Sequence, residues 1–300
     1  MEPSGVIIIN KPEGMTSHDV VNKMRRLFST RRVGHTGTLD PMATGVLVIL
    51  IGRAAKAAEY LSSDEKGYIA TLRLGTTYDT EDITGTPITH SDIIPSKAEV
   101  LAAVNSFTGE IMQVPPMYSA LKINGKKLCD LAREGEVIER PARPITIHSI
   151  KVESCPDPHD YTLSVHCSSG TYIRTLCADI GSALGCGGAM ATLCRTLAGT
   201  FSLENSHTIE EIESLDVNAR ASLLMPTESL FSGLAEIRLS SFYERLCRNG
   251  CEIYLNKINA HLELGQRVRL ASSNGSFFAL GEVRDFDGSL AVKAIKLFDI

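Results

Sequence analysis

Residues Gly34-His35-Thr36-Gly37-Thr38-Leu39-Asp40-Pro41-Met42-Ala43-Thr44-Gly45 open directly onto the unbroken apolar run Val46-Leu47-Val48-Ile49-Leu50-Ile51. No other stretch constrains the fold as tightly. The loop carries one carboxylate, Asp40, with no charged neighbours to keep it solvated, and its backbone is shaped by three glycines and a proline. Such a loop can present a single side chain into a cleft while its main chain stays close to whatever enters. A structural role competes with this reading. Asp-Pro is a common way to begin a helix, with Asp capping the free N–H groups and Pro at the first helical position.

The surrounding pattern alternates strand and helix signals without a strict βαβ rhythm. Val6 to Ile9 predicts a buried strand, closed by Lys11-Pro12. Ser17 to Phe28 predicts a helix with Ser17 as cap, Asp19 in the first turn, and Val20, Val21, Met24, Leu27 and Phe28 at helical spacing. Tyr68 to Leu74 alternates like a half-buried strand ending at Gly75. Thr76 to Ile88 reads as a loop, and Lys97 to Phe107 as an amphipathic helix. Ile145 to Val152 and Tyr161 to Cys167 predict a strand pair. Thr171 to Leu184 predicts a helix capped by Thr171, which puts Arg174 in its first turn. The helix dipole disfavours a cation there, and a capping box would place Glu or Gln nearby. An arginine in that position calls for a local carboxylate partner. Beyond Ser232-Gly233, a hinge candidate, a short helical segment (Phe242 to Arg248) and three strand-like runs (Arg267 to Leu270, Phe277 to Val283, Leu290 to Ile295) predict a small barrel.

Charge and cysteine usage narrow the function classes. The net charge of −5 looks wrong for an RNA-binding protein, but global charge is a poor guide when basic residues are concentrated. Lys23, Arg25, Arg26, Arg31 and Arg32 fall together before the Asp40 loop, with no acid among them. Lys122, Lys126 and Lys127 form a second group, whereas acids gather at Asp79-Thr80-Glu81-Asp82 and from Glu204 to Asp216. Basic residues on both sides of the loop fit a substrate with a phosphate backbone. The eight cysteines contain no C-x-x-C pair and no recurring Cys/His spacing, so neither metal nor disulfides are expected. No apolar run approaches the roughly 20 residues of a membrane helix. The N-terminus, with Glu2 and Pro3, lacks the order of a signal peptide, and a cytoplasmic protein is expected.

The Gly34–Val46 string resembles the catalytic loop of the pseudouridine synthases, and of the tRNA pseudouridine synthase B family in particular. Further motifs follow in order. Gly5-Val6-Ile7-Ile8-Ile9-Asn10-Lys11-Pro12-Glu13-Gly14 resembles a strand followed by Lys-Pro-x-Gly, with Asn10 where Asp is commoner. Lys66-Gly67-Tyr68-Ile69-Ala70 resembles the tyrosine motif. Val114-Pro115-Pro116-Met117-Tyr118-Ser119-Ala120-Leu121-Lys122, with Gly125-Lys126-Lys127-Leu128, resembles a segment of the stand-alone bacterial enzymes. Ser169-Gly170-Thr171-Tyr172-Ile173-Arg174 resembles the arginine motif, and Leu193-Cys194-Arg195-Thr196-Leu197 the last one.

The resemblance implies an α+β fold: a catalytic domain over 1–232, with a central mixed, mostly antiparallel sheet flanked by helices, and an RNA-binding insertion near 114–144. A small PUA-like β-barrel would occupy 233–300. It implies isomerisation of uridine to pseudouridine at position 55 in the T-arm of tRNA, with no cofactor, no metal and no obligate protein partner, by a monomer. The reaction breaks the N1–C1′ bond, turns the base and rejoins it through C5. It needs a carboxylate nucleophile, attacking C1′ or C6, and Asp40 takes that role. Arg174 would hold Asp40 ionised against burial. Tyr68 would stack on the flipped base, and its hydroxyl could assist proton transfer. His35 would fill the space the base leaves, Leu197 would wall the pocket, Tyr172 would contact substrate, and Lys11 and Pro12 would support the loop. Two other readings remain open: a guide-RNA-dependent synthase, and a tRNA-binding chaperone for which catalysis is secondary.

Overall fold

A computed structural model describes residues 3–61, 65–119, 121–123 and 125–298. Glu2, Ala120 and the side chain of Lys127, all named above, lie outside the described residues. A nine-stranded mixed sheet forms the body. Its main path runs Gly5–Lys11, Thr44–Ile51, Gly188–Ala198, Lys66–Leu74, Asp160–Cys167, Arg143–Asp157, Gly109–Gln113. Neighbours on this path are antiparallel except Thr44–Ile51 with Gly188–Ala198, which run parallel. This is the expected α+β architecture.

The unbroken apolar run now has a physical account. Every residue from Val46 to Ile51 is buried because both faces of its strand are covered. Leu47, Ile49 and Ile51 join the larger core with Val20, Val21 and Met24 of the Ser17–Leu27 helix and with Leu176 and Ile180 of the Ile173–Ala183 helix. Val46, Val48 and Leu50 face a second core that includes Phe231, Leu280 and Phe298. A strand with only one covered face would have alternated.

Four local readings change. Thr16, not Ser17, caps the first helix, in a capping box with Asp19. Ser17 instead turns its hydroxyl onto the Leu39 backbone, accepting from the N–H at 2.8 Å and donating to the carbonyl at 3.2 Å. Asp40-Pro41 starts no helix; the Asp40 carbonyl closes a turn by accepting from the Ala43 N–H at 3.0 Å. The Thr76–Ile88 loop contains a two-stranded hairpin, Thr76–Tyr78 with Pro87–His90. Thr171 caps nothing, since Tyr172 is the N-cap of the Ile173–Ala183 helix without a side-chain bond, and the Thr171 hydroxyl donates to the Ser168 carbonyl.

The C-terminal residues form a curled five-stranded sheet of PUA-like character, ordered Glu236–Leu239, Arg267–Ser272, Phe277–Phe286, Ser289–Leu297, Ile253–Tyr254. It packs on the back of the body through the ring cluster Phe231, Phe277 and Phe298. Tyr60 Oη donates to the Ile295 carbonyl at 3.3 Å, and Lys296 pairs with Glu59 at 2.5 Å. Ser232-Gly233 therefore connects two parts that share one apolar core.

Candidate active site

Gly45 sits between two strands that each bring a cation beneath the Asp40 loop. It pairs with Lys11 on one side and Arg195 on the other. Its φ is +96°, and a Cβ there would meet the Arg195 carbonyl oxygen at 2.2 Å, so only glycine fits. The Arg195 guanidinium, buried, donates Nε to the Val46 carbonyl at 2.7 Å and Nη2 to the Gly37 carbonyl at 3.0 Å. Lys11, fully buried, donates Nζ to the carbonyls of Pro12 (2.9 Å), Met15 (2.6 Å) and Pro41 (3.1 Å). The Gly14 N–H adds a second bond to Pro41 at 2.8 Å. Together with Ser17 on Leu39, these bonds fix the loop on both sides of Asp40.

The loop forms one wall of a cleft of about 370 Å³, which Tyr68, Tyr118, Tyr172, Arg174, Leu193 and Arg195 also line. Arg174 Nε lies 3.1 Å from Asp40 Oδ2, the local carboxylate partner that its helix position demanded. Arg174 is otherwise buried in acceptors. Nη2 donates to the Tyr118 carbonyl at 2.8 Å, Nη1 to the Thr80 carbonyl at 3.4 Å, and Asp82 Oδ2 lies 3.6 Å away. Asp40 keeps 34% of its side chain exposed, whereas Arg174 keeps 7%. The carboxylate therefore faces the cleft with an oxygen available, and the guanidinium serves as its backing.

Electrostatics follow from this arrangement. Burial pushes the Asp40 carboxyl above its ordinary range; Arg174 opposes the shift, Asp82 adds to it, and Lys11 opposes it more weakly. Burial pulls Lys11 down to about 8, with Asp40 and Glu13 resisting. Burial holds the Tyr68 phenol above its usual value beside Arg195, so Tyr68 is neutral. Among the described residues no group of three or more His, Cys, Asp or Glu side chains is arranged to hold a metal ion.

The structure brings Asp40, Tyr68, Tyr172 and Arg174 into one cleft, with Lys11 and Pro12 beneath its loop. His35 and Leu197 stand outside its lining. His35, half-buried, accepts the Gly37 N–H on Nδ1 at 3.3 Å, and burial lowers its pKa, favouring the neutral ring. Leu197 pairs with Gly67 and Ser202 past a register shift between Arg195 and Leu197. The apolar cleft wall on that strand is Leu193, beside Arg195.

Two site residues escaped the sequence reading. Arg195 was visible only as part of a motif. Asp82 belonged to an acidic run in what read as a loop, but Met190 N–H donates to the Glu81 carbonyl and Ile83 N–H to the Met190 carbonyl, which carries Asp82 to Arg174. Glu81 adopts φ +64° at that join, and Thr175 Oγ1 donates to its carboxylate.

Comparison with known proteins agrees with this geometry. The family model for the TruB family pseudouridylate synthase N-terminal domain matches residues 25–173, and that for the tRNA pseudouridylate synthase B C-terminal domain matches 174–232. The tRNA pseudouridine synthase B of Alkaliphilus oremlandii is 44% identical over 286 residues, spanning 95% of this chain and 94% of the relative. That of Clostridium kluyveri is 41% identical over 294 residues, spanning 98% and 99%. A chain of a solved Cbf5-Nop10-Gar1 complex superposes with a TM-score of 0.75 at 25% identity, over 98% of this chain and 84% of its own. Fold, cleft and matches together are those of a pseudouridylate synthase. The chain belongs to the TruB family.

Proposed function

We propose that this protein isomerises uridine to pseudouridine at T-loop position 55 of tRNA, with Asp40 as the nucleophile. One observation carries the chemistry: a buried guanidinium holds a half-buried carboxylate at the wall of an open cleft, Arg174 Nε to Asp40 Oδ2 at 3.1 Å. The target uridine leaves its stack at a cost of a few kcal/mol and is held by the aromatic lining, with Tyr68 against its face and Tyr172 beside it. Asp40 attacks C1′ or C6. The N1–C1′ bond breaks, the base turns, and a C5–C1′ bond forms; the bond from Asp40 to the substrate carbon is broken again, which regenerates the carboxylate, and C5 loses its proton while N1 gains one. Arg174 favours the ionised nucleophile, and the Lys11 and Arg195 bonds keep the loop from yielding as the base turns. The sequence needs no oxidant or reductant, because the proton lost from C5 is balanced by the one gained at N1.

His35, next to the cleft-lining Gly37, fills the vacated space in the RNA, and Leu197 extends the apolar wall beyond Leu193. Residues 114–144 contact the T-arm, and the sheet of 233–300 binds RNA further along. The high identity to enzymes named tRNA pseudouridine synthase B over nearly their whole length favours a stand-alone tRNA enzyme over a guide-dependent one. It would work in the cytoplasm as a single chain; no described helix is long and apolar enough to cross a membrane. Incubation of the purified protein with an unmodified tRNA transcript tests the reading. Pseudouridine at the T-loop uridine is expected without guide RNA or added protein. Formation only after such additions would replace it with the guide-dependent alternative.

A further inference from the structure

Gln113 is a polar side chain at a position that the strand pattern gives to an apolar one. It ends the Gly109–Gln113 strand and is buried between the exposed Met112 and Val114. A buried amide carries a donor and an acceptor, and leaving either without a partner costs free energy. Here both groups are bonded to one residue. Nε2 donates to the Tyr172 carbonyl at 3.0 Å, and Oε1 accepts the Tyr172 N–H at 2.9 Å. The side chain thereby pairs with the Tyr172 main chain as the backbone of an antiparallel strand would.

Its grip falls where the Ile173–Ala183 helix begins. Tyr172 is the N-cap and makes no side-chain capping bond, while its carbonyl also accepts the Leu176 N–H at 3.0 Å, the first bond of the helix. The Tyr172 ring lines the cleft, and Arg174 follows two residues later with Nε on Asp40. A turn of the Tyr172 main chain would therefore move the ring and swing the guanidinium together. Gln113 is also the root of the 114–144 segment. It lies opposite Arg143 in the register, so the chain leaves the sheet and re-enters it at this one pair. Five residues on, the Tyr118 carbonyl accepts from Arg174 Nη2 at 2.8 Å. Pro115 and Pro116, with fixed φ, lie between the two ties. Gln113 and Tyr118 thus hold the start of the helix from one short, stiffened stretch. We propose that Gln113 is a positioning residue for pseudouridine formation, setting the Tyr172 ring and the Arg174 guanidinium through the Tyr172 main chain. The inference rests on the proposed reaction, and it joins the segment proposed to meet RNA to the residues that line the cleft.

Two variants test the assignment, each assayed well below its own melting temperature so that loss of fold is not scored as loss of rate. Gln113→Met keeps a side chain of similar length and removes both bonds. Its single-turnover rate on an unmodified tRNA transcript should fall about tenfold, with tRNA affinity within about threefold of the wild type. Gln113→Glu adds a readout that a purely structural role would not move. The neutral acid can donate to the Tyr172 carbonyl and accept from its N–H, whereas the carboxylate can only accept. The ratio of the Glu variant's rate to the wild type's at the same pH should rise towards one as pH falls from about 8 to about 6, while the Met ratio stays flat. A Met variant with the wild-type rate, a Met variant that loses affinity as much as rate, or a Glu variant as slow as Met at every pH overturns the assignment. Product formation by the wild type on the same transcript reads the parent proposal separately, so a slow Met variant beside an active wild type speaks to Gln113 alone.

Discussion

The Gly37–Gly45 loop and the 114–144 segment both border the cleft, yet they are held in opposite ways. The loop has little core of its own and is tied down by Lys11 and Ser17 from the N-terminal stretch and by Arg195 from a distant strand. The 114–144 segment carries a private cluster of Met117, Leu128 and Leu131, separate from the main core. One of its links to the cleft is the Tyr118 carbonyl, which accepts from Arg174. The difference teaches a division of labour. Chemistry needs a carboxylate fixed to within a fraction of an ångström, and bonds from rigid strands supply that. In the proposed function, recognition of a bulky RNA would be served by a segment that keeps its own shape, joined to the site through the guanidinium that backs the proposed nucleophile.

The largest break in this contrast should come from Arg174→Lys. A point charge cannot bond Asp40, Tyr118 and Thr80 together, so kcat should fall by about a hundredfold while tRNA affinity changes little. Single-turnover assays beside filter binding check this, and wild-type turnover would remove Arg174 from the mechanism.

Lys11 gives the next effect. Lys11→Met leaves three carbonyls without their shared donor, a loss of about 3 kcal/mol in unfolding free energy. Its pH signature is more specific. The folded pKa of about 8 lies below the unfolded value of 10.5, so the unfolded chain binds more protons between them. The Lys11 contribution to stability should therefore rise with pH across that window, while turnover falls as the ammonium that grips Pro41 is lost. The alkaline limb near pH 8 should vanish in Lys11→Met. Its persistence there would assign the limb to another group.

Leu128→Ala should have the smallest effect on chemistry. Leu128 is buried in the private cluster, so the cost should appear as faster hydrogen exchange within residues 114–144, with the global melting temperature little changed. KM for tRNA should rise about threefold with kcat within about twofold. A comparable fall in kcat would mean that the segment and the loop are one unit.

Much of the site was legible in the sequence, for reasons that differ residue by residue. Arg174 stood out because a cation in a first helical turn is electrostatically awkward, and Asp40 is the carboxylate that answers it. The strand from Tyr68 announced itself by alternation, and those from Ile145 and Tyr161 read as a strand pair. Asp82 did not, because only a long-range bridge from Glu81 and Ile83 to Met190 takes a polar hairpin to the cleft. Arg195 was hidden because its role is to bond backbone carbonyls, which leaves no side-chain pattern. Leu197, implied by the resemblance alone, lies past a register shift after Arg195, while Leu193 on the same strand lines the cleft. Glu236–Leu239 was missed because it is short and pairs in parallel with Arg267–Ser272, with no turn to signal it.

Asp40→Asn tests the central claim most directly, because it keeps the shape of the side chain and removes its charge. Folding raises the Asp40 pKa, so the ionised form is disfavoured in the folded state and its removal should not lower stability at neutral pH. Pseudouridine formation in unmodified tRNA, followed under single-turnover conditions with tRNA affinity and melting temperature measured in parallel, should be abolished. Affinity should stay within about threefold of wild type, and the melting temperature should hold or rise. Product formation at a rate near wild type, or loss of binding together with activity, would contradict Asp40 as the nucleophile.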